Sequence, residues 1–313
     1  MPAHPPSRQE ALSVPSDLWS PLPLEALPPL SDLQLAVVGH TEVVTFVRVD
    51  RLPRPGEVAH GRDLAVMAAG GGPVVAAQMA RLRPGRVRFL TALGRDAAGA
   101  RAAEELVRLG LDPHIAWRDA PTRQAITFVE SGGERTITVI GERLQPCAAD
   151  ALPWTELADR HGVFATACDA PALQLARRAR VLTATPRVRQ AVLEASGVRL
   201  DSLIGSALDP GEALAADQLP APPVCVIRTA GAAGGEVFPG GRFSAPPRTA
   251  AVVDAYGAGD SFAAGVTVGL AAGWSLREAI SLGCHCGSAC LDGQGPYATQ
   301  LRLPDDGRSD ESH

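Results

Sequence analysis

The sequence predicts an α/β fold, in which a sheet of strands alternating with helices carries a small β subdomain. Between residues 163 and 227, short apolar runs of strand length alternate with segments of helical pattern. Alternation of this kind is typical of parallel sheets with right-handed crossover connections. Residues 43–66 and residues 114–140 interrupt it with the pattern of hairpins, the second around a glycine turn at residues 131–133. These two regions are therefore predicted to form a small β subdomain packed on the main sheet.

Each predicted element has its own signal. The first core strand is Leu35–Val38, because a continuous apolar run ended by Gly39 suits a strand buried on both faces. Three glycines precede a helix at residues 74–82, and Gly110 closes a helix at residues 97–109. The remaining strands are predicted at residues 87–93, 125–129, 136–140, 163–166, 181–184, 202–204 and 224–227, and the remaining helices at residues 170–179, 186–196 and 262–272.

Composition divides the chain into three parts. Residues 1–33 are rich in proline and lack the basic-then-apolar layout of a signal peptide, so they are predicted to be a flexible arm. Residues 34–303 are predicted to form one domain, and residues 304–313 a frayed acidic tail. The longest apolar stretch, residues 262–274, is shorter than the ~20 residues that a membrane span needs. We therefore expect a cytoplasmic protein.

Composition also excludes several classes of function. Of the 313 residues, 46% are hydrophobic and 20% are charged, and the formal net charge is −5. A general nucleic-acid or anionic-membrane binder would normally show a basic excess, so the expected partner is a small molecule. The sequence contains no Lys and no Asn, and all 29 basic residues are Arg. Schiff-base catalysis and a P-loop lysine are thereby excluded.

The six cysteines are too few and too scattered for a disulfide scaffold. Four of the candidate metal ligands are close in sequence, namely Cys284, His285, Cys286 and Cys290. Cys286 and Cys290 have the i,i+4 spacing of a helical metal pair, but the other two project to other faces of a helix. A packed core helix is therefore favoured over a metal site.

The most informative segment leads from an apolar strand through Gly257, Ala258 and Gly259 to Asp260 and an apolar helix. Small residues at a helix amino terminus let a ligand approach free amide groups, which together with the helix dipole form an anion site. A carboxylate beside a bound phosphate makes sense if it accepts the proton of an attacking hydroxyl. In the alternative interpretation, Asp260 only caps the helix and the glycines only pack.

This segment resembles the carboxyl-terminal signature of the ribokinase-like (PfkB) sugar and nucleoside kinases. Residues 254–262 match Asp-Thr-x-Gly-Ala-Gly-Asp-[Ser/Thr]-Phe except at Ala255. The resemblance covers residues 36–300. Further motifs follow in the family's order: a Pro-x-Pro-Gly-Glu turn at residues 53–57, Gly-Gly at 70–71, Gly-x-Asp-x-x-Gly at 94–99, a Gly-Glu-Arg lid hairpin at 133–135 and the nucleotide loop at 229–234.

The resemblance implies a ribokinase-like fold, in which a doubly wound sheet carries helices on both faces and the strands of residues 43–66 and 114–140 form a small lid. It also implies transfer of the γ-phosphate of ATP to a hydroxyl group. Asp260 would be the general base, and the amides of Gly257, Ala258, Gly259 and Asp260 itself would stabilise the transferring phosphoryl group. The family's lid strands often pair edge to edge, which implies a homodimer. The other implied residues bind the nucleotide (Thr229, Gly231, Gly234), organise the Mg²⁺ that bridges its phosphates (Asp209), or ligate the monovalent cation that some members hold (Asp254, Tyr256).

The substrate end of the family pattern is rewritten in this chain. Val44 occupies the position of an Asp that grips substrate hydroxyls in many members. One interpretation is a kinase for an atypical substrate; the other is a ribokinase-fold protein that binds a ligand with little or no turnover. A dinucleotide-dependent oxidoreductase is disfavoured, because no Gly-x-Gly-x-x-Gly follows the first strand. The residues expected to contact the atypical substrate are Glu42, His40, Gly70, Gly71 and Arg123.

Overall fold

The computed structural model of the protein describes residues 14–30, 32–82 and 87–303. In chain order, the strands are β1 Leu18–Trp19, β2 Leu35–Val38, β3 Glu42–Arg48, β4 Arg62–Ala69, β5 Val87–Gly94, β6 Leu111–Arg118, β7 Gln124–Val129, β8 Arg135–Ile140, β9 Gly162–Ala165, β10 Val181–Ala184, β11 Ser202–Ser206, β12 Cys225–Thr229, β13 Gly235–Phe238 and β14 Arg242–Phe243. The α-helices are α1 Gly71–Leu82, α2 Ala97–Arg108, α3 Ala170–Ala176, α4 Gln190–Ser196, α5 Ala258–Ala271 and α6 Leu276–Cys290.

The main sheet of the described chain has ten strands in the order β1-β14-β13-β12-β11-β10-β9-β2-β5-β6. The seven strands from β12 to β6 run parallel to one another. Strand β13 extends the sheet beyond β12 and is antiparallel to both β12 and β14. Parallel neighbours need crossover connections, and the helices of this chain supply them.

Helices cover both faces of the main sheet. Along β2, Leu35 and Val37 pack into one core cluster with α1, α5 and α6, whereas Ala36 and Val38 pack into a second cluster with α3 and α4. Successive strand residues point to opposite faces, so one short apolar strand contributes to both cores. This arrangement confirms the predicted doubly wound α/β fold.

A second, four-stranded sheet forms the lid, in the order β4-β3-β7-β8. Strands β3 and β7 run parallel, and each has an antiparallel partner on its outer side. The sequence placed the second lid region from residue 114, but residues 114–118 belong to the main sheet. They lie in β6, which pairs with β5 along its whole length, so the lid strands of this region begin only at Gln124.

The part of the proline-rich segment that the structure describes is packed rather than flexible. Strand β1 extends the main sheet beside β14, and the side chain of Trp19 is buried against Phe243. The amide of Leu22 donates to Oγ of Ser281, and the carbonyl of Leu22 lies 2.8 Å from Nε2 of His285. The prediction of a flexible arm is therefore wrong for residues 14–30, whereas residues 1–13 and the predicted tail at 304–313 lie outside the described residues.

Helix α6 carries the cysteines that could have suggested a metal site. Cys284, Cys286 and Cys290 are buried in the core, and all six cysteines of the chain are free thiols. Within the residues that the structure describes, no group of three His, Cys, Asp or Glu side chains could hold a metal ion. No helix among them is both long and apolar enough to cross a membrane.

Candidate active site

The candidate site lies where the winding of the main sheet changes direction. Strands β5 and β6 follow β2 on one side, and β9 to β12 continue on the other side. In open α/β sheets, ligands bind at the carboxyl ends of the strands at such a switch point. Gly39, which follows β2, has no room for a Cβ atom, because that atom would lie 2.1 Å from Oγ1 of Thr166 after β9. The two strand ends therefore meet directly beneath the site.

The amino terminus of α5 is shaped by a glycine that no other residue could replace without strain. Gly257 caps the helix with φ 83°, and an added Cβ would lie 2.9 Å from Cβ of Pro296 and 3.0 Å from Cγ1 of Val74. Within the described structure, the amides of Gly257, Gly259 and Asp260 donate to no protein acceptor, whereas that of Ala258 donates to the carbonyl of Ala255 at 3.5 Å. Free amides at a helix amino terminus suit an anion.

Asp254 fastens this turn. One carboxylate oxygen accepts the amide of Tyr256 and the other accepts the amide of Gly295, both at 2.9 Å, and the side chain is buried. The carbonyl of Tyr256 accepts the thiol of Cys290, and its hydroxyl accepts the amide of Gly70. The atoms expected to ligate a monovalent cation thus have protein partners, and we do not propose such a site.

Asp260 faces the glycine pair at the start of α1. A Cβ on Gly71 would lie 3.1 Å from Oδ1 of Asp260, so the glycine keeps the space next to the carboxylate open. Burial raises the pKa of Asp260 to about 7, with a further contribution from the negative charge of Glu212. Arg135 and Arg187 act in the opposite direction. A carboxylate with a pKa near neutrality is suited to general base catalysis.

The residues expected to contact substrate lie on the other side of the glycine pair. A Cβ on Gly70, whose φ is 89°, would lie 3.1 Å from both Cγ of Glu42 and Nε2 of His40. Glu42 is buried and pairs with Nε of Arg123 at 3.2 Å. Burial raises the pKa of Glu42 despite the nearby arginines. Burial and the charges of the same arginines lower the pKa of His40 to about 3, so its imidazole is neutral.

Val44, two residues further along the same strand as Glu42, is packed among apolar side chains. Its side chain is fully buried in a core cluster that includes Phe46 and Tyr256, between the lid and the main sheet. The position that carries a substrate-binding Asp in many relatives is therefore filled by apolar packing, and Glu42 supplies the buried carboxylate two residues earlier.

A second acidic group lies after β11 and includes a residue that the sequence analysis missed. Asp209 accepts the amide of Gly211 and forms an ion pair with Arg187. Glu212 accepts the amide of Ser206 at 2.8 Å and Nε of Arg187 at 2.9 Å. Mg²⁺ on nucleotide phosphates is usually bound through one or two carboxylates besides water, so these two carboxylates are candidate ligands.

The expected nucleotide loop follows β12. Thr229 ends the strand, and Gly231 and Gly234 adopt φ of 58° and 85°. A Cβ on Gly234 would lie 1.9 Å from the carbonyl oxygen of Phe243, so only glycine fits there. The loop is placed at the same carboxyl edge of the sheet as the other site residues, beyond β11.

Comparison with known proteins now decides the family. The sequence model of the pfkB family of carbohydrate kinases matches residues 32–191 and 200–302. This chain belongs to that family.

Two curated relatives of this pfkB-family chain illustrate its similarity. A ribokinase from Arabidopsis thaliana is 30% identical over 127 residues, which are 39% of this chain and 32% of that protein. An ATP-dependent 6-phosphofructokinase isozyme 2 from Mycobacterium tuberculosis is 50% identical over 50 residues, which are 16% of this chain and 14% of that protein. The matched regions thus span about a third or less of these relatives.

A solved structure agrees with the fold. The ribokinase from Thermotoga maritima superposes with a TM-score of 0.69 and 21% identity, over 87% of this chain and 97% of the other. At this identity the likeness concerns the fold, which the two chains share.

Sequence reasoning missed three charged residues that this pfkB-family chain brings to the site. Glu212 and Arg187 lie after β11 and β10, and Arg135 begins the lid strand β8. The charges of all three act on the pKa of Asp260. Only Arg135 had a signal, since it ends the Gly-Glu-Arg motif; the other two belong to no motif that the sequence analysis used.

Proposed function

We propose that this protein is an ATP-dependent kinase that transfers the γ-phosphate to a hydroxyl of a sugar-like or other small alcohol. The observation that carries the proposal concerns one helix amino terminus. It brings together the carboxylate of Asp260, whose pKa is about 7, and the free amides of Gly259 and of Asp260 itself. A base beside an anion site is what phosphoryl transfer from ATP to an alcohol needs.

In this proposal, each side of the glycine pair has a separate task. Glu42, His40, Gly70 and Arg123 orient the acceptor, and its hydroxyl lies in the space that Gly71 leaves open beside Asp260. The carboxylate of Asp260 takes the hydroxyl proton as the oxygen attacks phosphorus. Amides at the start of α5 stabilise the charge on the transferring phosphoryl group.

The nucleotide side is proposed to use Thr229, Gly231 and Gly234. Magnesium bound with the nucleotide would bridge its phosphates and offset their charge, with Asp209 and Glu212 as the nearby carboxylates. Arg187 binds both of these carboxylates, so it holds them in place at the edge of the site.

The test of this function is direct detection of the product. Purified protein with Mg²⁺ and ATP is incubated with a panel of sugars, sugar phosphates, sugar acids and nucleosides, and ADP release and new phosphate esters are followed by phosphorus NMR. We expect acceptor-dependent ADP release with one phosphate ester formed per ADP. A protein that binds an acceptor and ATP in thermal-shift assays but forms no ester would instead be a binding protein of this fold.

We further propose that the protein works in the cytoplasm, which supplies ATP and keeps the six thiols reduced.

We also propose that the protein forms a homodimer through its lid. Strand β8 is one of the two outer strands of the lid sheet, and all six of its residues are exposed, including Ile137 and Val139. An exposed apolar edge strand is a template for pairing with another chain. Light scattering should give twice the chain mass, and a monomer mass would contradict the dimer.

A further inference from the structure

Four arginines form a cluster beside the acceptor side of the site. We call Arg123, Arg143, Arg187 and Arg189 the arginine cluster. Arg123 precedes β7, and Arg143 follows β8 at the same open end of that lid hairpin. Arg187 and Arg189 follow β10. Nη1 of Arg143 donates to the carbonyl of Arg187 at 2.7 Å. The lid and the main sheet thus bring their cationic side chains to one place.

The acidic residues near the arginine cluster form ion pairs with two of its members. Glu42 pairs with Arg123, and Asp209 and Glu212 both pair with Arg187. In the described part of the chain, no carboxylate forms an ion pair with Arg143. Within those residues, its charge therefore has no counterion.

The guanidinium of Arg143 also has an unused edge. Its Nε and Nη2 atoms are buried and have no hydrogen-bond partner among the described residues. The N–H groups of these two atoms lie side by side and are the edge that binds a carboxylate or phosphate with two parallel hydrogen bonds. Burial and the neighbouring arginines lower the pKa of Arg143 to about 10, so the group is still charged at neutral pH.

The position of Arg143 in the lid hairpin places this edge on the acceptor side. A Cβ on Gly141, two residues before Arg143, would lie 3.9 Å from Cα of Arg123, which pairs with Glu42. Among the nearby charges, Arg143 and Arg123 act most strongly to lower the pKa of His40 and of Glu42. The cations that act most strongly on the pKa of Asp260 are instead Arg135 and Arg187. Arg143 is thus placed with the residues that flank Gly70, on the acceptor side, rather than with the general base.

We infer that the acceptor is anionic: it is an alcohol that carries a phosphate or carboxylate group, and the Nε–Nη2 edge of Arg143 binds that group. The inference rests on the proposed function, because it specifies the acceptor of that reaction. A buried, charged and unpaired guanidinium edge is costly unless an oxyanion meets it. A neutral sugar offers no such partner, whereas both oxyanions offer two acceptor oxygens.

Matched acceptors test the inference and identify the anion. Initial rates are measured with Mg²⁺ and ATP for D-ribose against D-ribose 5-phosphate, D-fructose against D-fructose 6-phosphate, and D-glucose against D-gluconate and D-glucose 6-phosphate. We expect an anionic member of each set to have a higher kcat/KM than the neutral sugar. Comparison of the sugar phosphates with D-gluconate shows whether the bound group is a phosphate or a carboxylate. A neutral sugar as the best acceptor would overturn the inference.

The Arg143→Gln variant should lower kcat/KM for the anionic acceptor about 10- to 100-fold, the range for a lost hydrogen bond to a charged group. The loss should appear mainly in KM, because the bound anion is distant from the transferring phosphate. Arg143→Lys, which keeps the charge, should lose less. Arg199→Gln removes the same charge from an exposed residue before β11, at the opposite edge of the sheet, and should change nothing.

A binding measurement separates this inference from the proposed function. With the nucleotide site saturated by a non-hydrolysable ATP analogue, inorganic phosphate at tens of millimolar should raise the unfolding temperature of the wild type but not of Arg143→Gln. No shift in the wild type, or an equal shift in the variant, overturns the inference. If phosphate binds at Arg143 but no acceptor is phosphorylated, the proposed function fails and the anion site stands.

Discussion

At the scale of single residues, burial shifts the pKa values of two site residues in opposite directions. Burial and the charge of Glu212 raise the pKa of Asp260 to about 7, whereas burial and three arginines lower the pKa of His40 to about 3. Both shifts disfavour the charged form of the residue. Near neutral pH, Asp260 therefore titrates while His40 stays a neutral hydrogen-bonding group.

This shift makes the activity depend on pH. Asp260 can accept a proton only when it is ionised, so kcat/KM should fall about tenfold per pH unit below pH 7 and level off above it. Glu212→Gln removes the negative charge that most raises the pKa of Asp260. The midpoint of the acid limb should then move to lower pH. Initial rates measured across this range check both results, and a rate that is flat down to about pH 5 would contradict the assigned role.

At the scale of elements, the site depends on how α5 begins. Gly257 before the helix and Gly273 after it have almost the same positive φ, 83° and 80°. They differ in their surroundings: a Cβ on Gly257 would press on Pro296 and Val74, whereas a Cβ on Gly273 would meet nothing within 4 Å. Alanine substitutions at the two positions therefore separate the effect of backbone strain from the effect of displacing the start of the helix.

A left-handed conformation costs a residue with a Cβ about 1 kcal/mol, so Gly273→Ala should lose about this much unfolding free energy. Gly257→Ala should lose more, because its Cβ also presses on neighbouring residues. It should also weaken binding of an ATP analogue, because the amides at the start of α5 move. Urea unfolding and calorimetry measure the two effects. Equal stability and equal nucleotide affinity in the two variants would show that the packing around Gly257 does not position the anion site.

At the scale of the whole molecule, the amino-terminal segment completes the main sheet. Trp19 is 6% exposed, packs against the tilted ring of Phe243 with ring centroids 5.6 Å apart, and lies beneath the guanidinium of Arg277. The preceding residue, Leu18, is 67% exposed. A segment with one buried anchor contributes to stability through that anchor.

Trp19→Ala should therefore lower the unfolding free energy by about 3 kcal/mol, as for other buried large-to-small changes. Leu18→Ala, in the same two-residue strand, should stay within about 0.5 kcal/mol of the wild type. Both are measured by urea unfolding. If the two variants are equally stable, residues 14–30 do not form part of the folded domain.

The sequence predicts those features whose cause is local. Continuous apolar runs identify the buried strands of the main sheet, and the spacing from Gly257 to Asp260 identifies the helix start that positions the base. It does not predict Arg143 or Glu212, because their roles arise only when the lid and the loops after β10 and β11 pack together. Strand β1 has only two residues, which is too short for any periodicity to show.

The central claim is that Asp260 is the general base of a phosphoryl transfer, and Asp260→Asn tests it most directly. The substitution keeps the size of the side chain, so circular dichroism and affinity for an ATP analogue should match the wild type. Turnover of the best acceptor from the panel should fall by about 10²- to 10⁴-fold, the usual loss when a general base is removed. A variant that binds the analogue normally and turns over at nearly the wild-type rate would contradict the claim.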